Sequence, residues 1–210
     1  MPVSISPPRC DSVVLGAGLP GYRRVVASRR FAACATVLGV LTSLTGCGIF
    51  DDGVTEPART APATLVLTSP AFEDGGRIPD RYTCEGANLP PPLQWSGVPD
   101  DARALALVVT DPDAPGGTYA HWIVLDLPLE TAALGAGKLP RGARQARNSA
   151  GQTRYDGPCP PSGTHRYRFV VYALRTPSAL DDDADSDRAL AAIDETAIAR
   201  GILVGTVTAR

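Results

Sequence analysis

The sequence predicts a mainly β protein, an antiparallel β-sandwich with a few short peripheral helices. Short apolar runs of strand length recur between turn segments, and the 210 residues include 20 Pro and 21 Gly, a balance that favours loops and strands over long helices. Several runs alternate apolar and polar residues, as a half-buried strand does. Only one stretch, near the C-terminus, has its apolar residues at helical spacing.

Leu65-Val-Leu67 reads as the first strand, followed by a turn region from Pro70 to Gly76. Residues 84–92, Cys-Glu-Gly-Ala-Asn-Leu-Pro-Pro-Pro, form a rigid loop before the alternating strand Leu93-Gln-Trp95. Ala104 to Thr110 is almost continuously apolar and stops at Asp-Pro, the mark of a buried central strand; Trp122 to Leu127 is a matching strand. In the strand Tyr167 to Leu174, period two puts Tyr167, Phe169 and Val171 on one face and Arg168, Val170 and Tyr172 on the other. The helix is expected over Asp185 to Arg200, capped by Ser186 or Asp187, with Leu190, Ile193 and Ala197 as its apolar stripe. The acidic run Asp181 to Asp187 suits a helix N-terminus, Gly201 stops the helix, and Ile202 to Val207 is the last strand.

The formal net charge of −2 provides no basic field for nucleic acid. Aromatic residues make up 6% of the chain, so the core rests on Leu, Val, Ile and Ala. Residues 1–47 are expected to be an N-terminal extension and signal peptide. Arg29-Arg30 precede the apolar stretch Phe31 to Leu44, which is about 15 residues long and shorter than the ~20 of a transmembrane helix. Its ending, Leu44-Thr-Gly-Cys47, resembles the bacterial lipobox, in which the Cys becomes the lipidated first residue; a plain signal peptide or a short anchor is the plainer alternative. Residues 48–63 read as a flexible tether and 64–210 as the folded domain. The expected location is the bacterial cell envelope, lipid-anchored through Cys47 on the extracytoplasmic side. Cys10 and Cys34 fall in the signal region, which leaves Cys84 and Cys159 as an even pair. In an oxidising compartment they form a disulfide, against the alternative of two buried thiols.

Two segments carry polar chemistry: Thr110-Asp-Pro-Asp-Ala-Pro115 with Ala120-His-Trp122, and Pro160-Pro-Ser-Gly-Thr-His-Arg-Tyr167. Each holds one of the two histidines and adjoins an apolar run. Prolines fix the backbone beside Asp111 and Asp113. His121 is expected to take its tautomer from a nearby carboxylate. His165 and Tyr167, two apart, share a strand face, so imidazole and phenol donors converge. The bend around Pro161 exposes backbone amides. Arg166 and Arg168 read as a solvated face. No nucleophile elbow, metal-ligand spacing or dinucleotide loop is present, so no metal or cofactor is expected. Ser162, three residues from His165, is the weak candidate nucleophile.

Together, Arg81-Tyr-Thr-Cys-Glu-Gly-Ala-Asn88, Pro91-Pro-Leu-Gln-Trp95, Asp111-Pro-Asp-Ala-Pro115, His121-Trp122 and Gly157 to Phe169 resemble the phosphatidylethanolamine-binding protein family, in its bacterial Raf-kinase-inhibitor-like branch. The resemblance spans roughly residues 64–208. It implies a large antiparallel sheet packed on a smaller one and a small cavity for phosphate or related anions. On that resemblance Asp111, His121, Pro161, His165 and Tyr167 line the cavity, Asp113 braces its loop, Trp122 helps exclude water, and the loops of Cys84 and Cys159 lie near it. The implied function is a membrane-tethered binding protein for a small anionic or phosphorylated ligand. The alternative is an inhibitor of an extracytoplasmic protein such as a protease or kinase; catalysis is not expected.

Overall fold

Strand period and hydrophobic pattern together build two sheets whose facing sides form the core. The protein is seen here as a computed structural model, which describes residues 61, 62 and 64–210. The signal segment, Cys47 and all but two residues of the 48–63 tether lie outside the described residues.

The elements in order are β1 (Val66–Thr68), β2 (Leu93–Ser96), β3 (Ala104–Asp111), β4 (Tyr119–Leu127), β5 (Ala133–Leu134), β6 (Arg144–Gln145), β7 (Thr164–Leu174), α1 (Ser186–Thr196) and β8 (Ala197–Thr208). One sheet has five strands in the order β6-β4-β3-β7-β8 and the other three in the order β1-β2-β5, with every pairing antiparallel. The inner core packs Leu67, Leu93 and Trp95 of the small sheet against Leu107, Val109, Phe169 and Val171 of the large one. The outer face of the large sheet, with Ala106, Val108, Ile123, Val170 and Tyr172, is covered by Leu190 and Ile193 of α1. This explains why β3 is apolar at successive positions: it is covered on both faces and buried along its whole length.

The helix differs from expectation at both ends. Its N-cap is Asp185, whose side chain accepts from the Arg188 amide at 2.8 Å, rather than Ser186 or Asp187. It ends at Thr196, and β8 begins at Ala197, five residues before the expected strand. Ala197 and Ala199 pair with Leu174 and Ala173 of β7, so the sheet edge offers these residues a full set of hydrogen bonds that overrides their helical spacing. Gly201 therefore lies inside a strand. The two-residue strands β5 and β6 were too short for any periodicity to register.

The free edge of β8 is covered along its length. Arg200 N donates to Pro62 O and Leu65 N to Arg200 O; farther on, Gly75 N donates to Val204 O and Ile78 N to Thr206 O. Ala61 is buried, so the chain is already docked before Thr64. Such cover removes a template for edge-to-edge association. It also explains Gly201: a Cβ there would sit 2.8 Å from the Leu65 carbonyl oxygen, a backbone atom that cannot step aside. Gly201→Ala is expected to destabilise the fold by about 1–3 kcal/mol through overpacking, seen as a lower urea midpoint at unchanged slope; an unchanged midpoint would contradict the edge packing.

Candidate functional site

The site lies at one end of the large sheet, where the inward-facing positions change from apolar to polar. Along β3 the inner face reads Leu107, Val109, Asp111; along β7 it reads Val171, Phe169, Tyr167, His165. Because Thr110 pairs with Arg168, the end of β3 comes level with the start of β7. Asp111 Oδ2 accepts from His165 Nδ1 at 2.7 Å, and both residues are buried. Asp111 Oδ1 accepts from the Asp113 amide at 2.8 Å, which closes the Asp-Pro-Asp turn. With Nδ1 committed, His165 offers Nε2 as its remaining ring nitrogen.

His121 reaches the same place through a β-bulge. Val109 pairs with Trp122 but Thr110 pairs with Ala120, leaving His121 as the extra residue of β4. A bulge turns two successive side chains toward one face, so His121 meets Tyr167 edge-on at 5.3 Å between ring centroids while Trp122 also faces inward. The partner that holds His121 is not the carboxylate expected. Its Nδ1 donates to the backbone carbonyl of Asp156 at 2.6 Å, and the Asp156 amide donates back to the His121 carbonyl at 3.1 Å. Burial pushes the His121 imidazole below its ordinary pKa, opposed by the Asp156 hydrogen bond and the charge of Asp111.

These groups line a cavity of about 430 Å³ together with Tyr119, Asp156, Pro161, Cys84 and Cys159. Tyr167 is fully buried and its hydroxyl has no hydrogen-bond partner in bonding geometry. Burial, then the neighbouring Asp111 charge, raises its pKa, so it enters the site as a proton donor. Cys84 and Cys159 form a disulfide with a Cα–Cα distance of 5.5 Å. The two rim loops are also tied by Cys84 N to Pro158 O at 3.1 Å and by Gly157 N to Asn88 Oδ1 at 2.7 Å. Asp113 lies behind the rim and grips Arg166: its carboxylate accepts from Nε at 2.8 Å, from Nη2 at 2.6 Å and from the Arg166 amide at 2.9 Å. That grip gives Arg166 a bracing partner where the sequence suggested only a solvated face.

Trp122 does not wall the cavity. It sits one step farther from the sheet end, donates from Nε1 to Gln145 Oε1 at 2.6 Å and packs on Tyr155. Ser162 is exposed and is not among the cavity-lining residues. The sequence reading missed Tyr119, Asp156 and Asn88. The Asp-Gly-Pro turn directly before Cys159 was the available signal for Asp156. Among the described residues no cluster of three or more metal-ligating side chains occurs.

The model of the phosphatidylethanolamine-binding protein family matches residues 68–208, which hold the cavity and every strand but most of β1. The chain belongs to that family. Relatives include a UPF0098 protein of Methanothermobacter thermautotrophicus, 44% identical over 66% of this chain and 95% of its own. Another is a Mycobacterium tuberculosis protein carrying the name lipoprotein LppC, 42% identical over 80% of this chain and 92% of its own. Among solved structures, a phosphatidylethanolamine-binding protein homologue from Chlamydia trachomatis superposes with a TM-score of 0.66 at 37% identity, over 70% of this chain and 99% of that one. YbcL of E. coli, described as a member of the mammalian family, gives 0.67 at 32% identity, over 70% and 100%.

Two outcomes follow from the rim. The disulfide joins residues 75 positions apart, so the Cys84→Ser/Cys159→Ser double variant is expected to lose about 2–4 kcal/mol of stability, measured by urea unfolding against the oxidised parent. The Arg166 grip lowers the Asp113 pKa from the ordinary 3.8 to about 2. A depressed folded-state pKa stabilises above the unfolded value, and that stabilisation is lost as pH falls from about 4 toward 2. Asp113→Asn should flatten the melting-temperature profile in that window; an unaltered slope would show that the grip contributes nothing.

Proposed function

We propose that this is an extracytoplasmic, lipid-tethered binding protein whose cavity takes a small phosphate-type anion, free or as a lipid headgroup, without catalysing its conversion. The observation that carries the reading is the buried Tyr167 hydroxyl, which lies beside Asp111 without a well-formed hydrogen bond, next to two imidazoles whose Nδ1 atoms are both engaged elsewhere. A donor left idle in a buried place costs free energy, and an anion in the cavity removes that cost. Protonated imidazoles add charge-assisted hydrogen bonds of roughly 1.5–3 kcal/mol each. Pro161, Pro115 and the disulfide supply apolar wall around them. The tether reading is supported by the Leu44-Thr-Gly-Cys47 ending and by the relative that carries a lipoprotein name.

Anion capture and protonation are linked. His121 faces the charges of Asp111 and Asp156, the other imidazole and the phenols of Tyr119 and Tyr167, and burial favours its neutral form in the empty cavity. An incoming anion favours the imidazolium, so binding takes up protons and affinity rises as pH falls.

A second reading, that of an inhibitor or regulator of another envelope protein, draws on a separate surface groove of about 460 Å³ beside the Pro-rich loop, lined by Arg81, Tyr82, Leu89, Pro90 and Pro92. Retention of a specific protein from envelope extract, lost on altering Leu89, would favour it.

Titration calorimetry with inorganic phosphate tests the first reading. Binding should strengthen from about pH 8 to about pH 5 and vanish in His165→Ala. Tyr167→Phe, which removes a hydroxyl without a well-formed internal hydrogen bond, should keep its melting temperature yet bind about tenfold more weakly. Unchanged affinity in both variants would remove the cavity from consideration.

A further inference from the structure

Asp156 was not singled out by the sequence, yet it is the cavity carboxylate with acceptor capacity to spare. The other, Asp111, already accepts one hydrogen bond at each oxygen, from the Asp113 amide and from His165 Nδ1, and has the Tyr167 hydroxyl beside it. Asp156 receives only the Tyr119 hydroxyl, at a long 3.4 Å to Oδ2. Burial, followed by the Asp156 charge, raises the Tyr119 pKa, so that phenol stays a donor and adds no acceptor of its own negative charge.

The backbone that carries this carboxylate is also held in position. Its own backbone is clamped on both sides of the peptide by His121, through the 2.6 Å contact to the carbonyl and the 3.1 Å contact from the amide. The next residue, Gly157, is pressed so closely on the opposite loop that a Cβ there would come 2.4 Å from Asn88 Oδ1. The segment therefore has little freedom to swing Asp156 out of the cavity mouth.

A carboxylate can only accept hydrogen bonds. An oxyanion that also only accepts is repelled by it, whereas one that carries a proton gives it a charge-assisted hydrogen bond. We propose that Asp156 is a selectivity residue that restricts the cavity to phosphates carrying a proton, namely hydrogen phosphate or the monoprotonated form of a phosphate monoester. Sulfate and phosphodiesters, which bring no such donor, are excluded. The inference rests on the anion-cavity reading and narrows it to one ligand class, setting aside the phosphodiester headgroups that reading admits. His165 and Tyr167 supply the donors common to all oxyanions, and Asp156 supplies the discrimination.

The test is calorimetry on the full chain in mild detergent at one ionic strength, with inorganic phosphate, sulfate and dimethyl phosphate as probes. Phosphate is expected to bind at least about tenfold more tightly than either competitor. In Asp156→Asn, whose amide adds donors, sulfate should come within about threefold of phosphate. Sulfate or dimethyl phosphate binding the parent chain as tightly as phosphate overturns the proposal, as does an unchanged ratio in a folded Asp156→Asn. The parent ratio decides the matter even if the variant fails to fold. Absence of binding by every probe overturns the anion cavity itself, an outcome distinct from loss of discrimination.

Discussion

The register of β3 against β7 is the constraint on which the rest of the molecule depends. Seven successive pairs, from Ala104 with Leu174 to Thr110 with Arg168, lock the two strands together. Because side chains alternate with period two, a one-residue slip would send Leu107, Val109 and Phe169 outward and Asp111 with them. The same register that buries the apolar rows brings Asp111 beside His165, so core and site are specified by a single alignment. The bulge at His121, one of two register shifts between β3 and β4, adds a third side chain to the inner face without disturbing that alignment.

The polar end of the sheet is costly to maintain. Asp111 and His165 are 3% and 7% exposed, and a buried charge unfavourably trades water for protein unless it is paired. The structure pairs each: carboxylate with imidazole, carboxylate with turn amide, His121 with a backbone carbonyl. Tyr167 and Thr110 each keep a buried hydroxyl without a well-formed hydrogen bond. A phenylalanine in place of Tyr167 would continue the apolar row above it without the cost of burying a poorly satisfied hydroxyl. The rim is organised differently, by covalent and exposed ionic ties that hold loops rather than satisfy a core.

Much of this was legible in the residues. The runs at 104–110 and 167–174 are long and apolar enough to declare central strands, and the two-residue spacing of His165 and Tyr167 placed them on one face. The family resemblance supplied the rest of the cavity list. What escaped the sequence did so for definite reasons. Ala197 to Arg200 fits helical and strand periods alike, and only the open edge of β7 decides between them. The partner of His121 is a backbone carbonyl 35 positions away, and carbonyls carry no sequence signature. Strict alternation would set His121 and Trp122 on opposite faces; the bulge turns both inward, yet the step between them is enough to leave Trp122 against Tyr155 instead of the cavity.

The Cys84–Cys159 bond has a topological consequence beyond the rim it braces. It turns the chain between those residues into a covalent ring that contains β2 to β6, with β1, β7, α1 and β8 as tails attached to it. A protease that cuts any loop inside the ring opens it without separating the pieces, since both halves stay joined through sulfur. A cut in either tail releases a fragment that only packing can retain. A single cut in the loops bordering the two sheets, including the turn at Gly116-Gly117, therefore leaves the chain in one covalent piece.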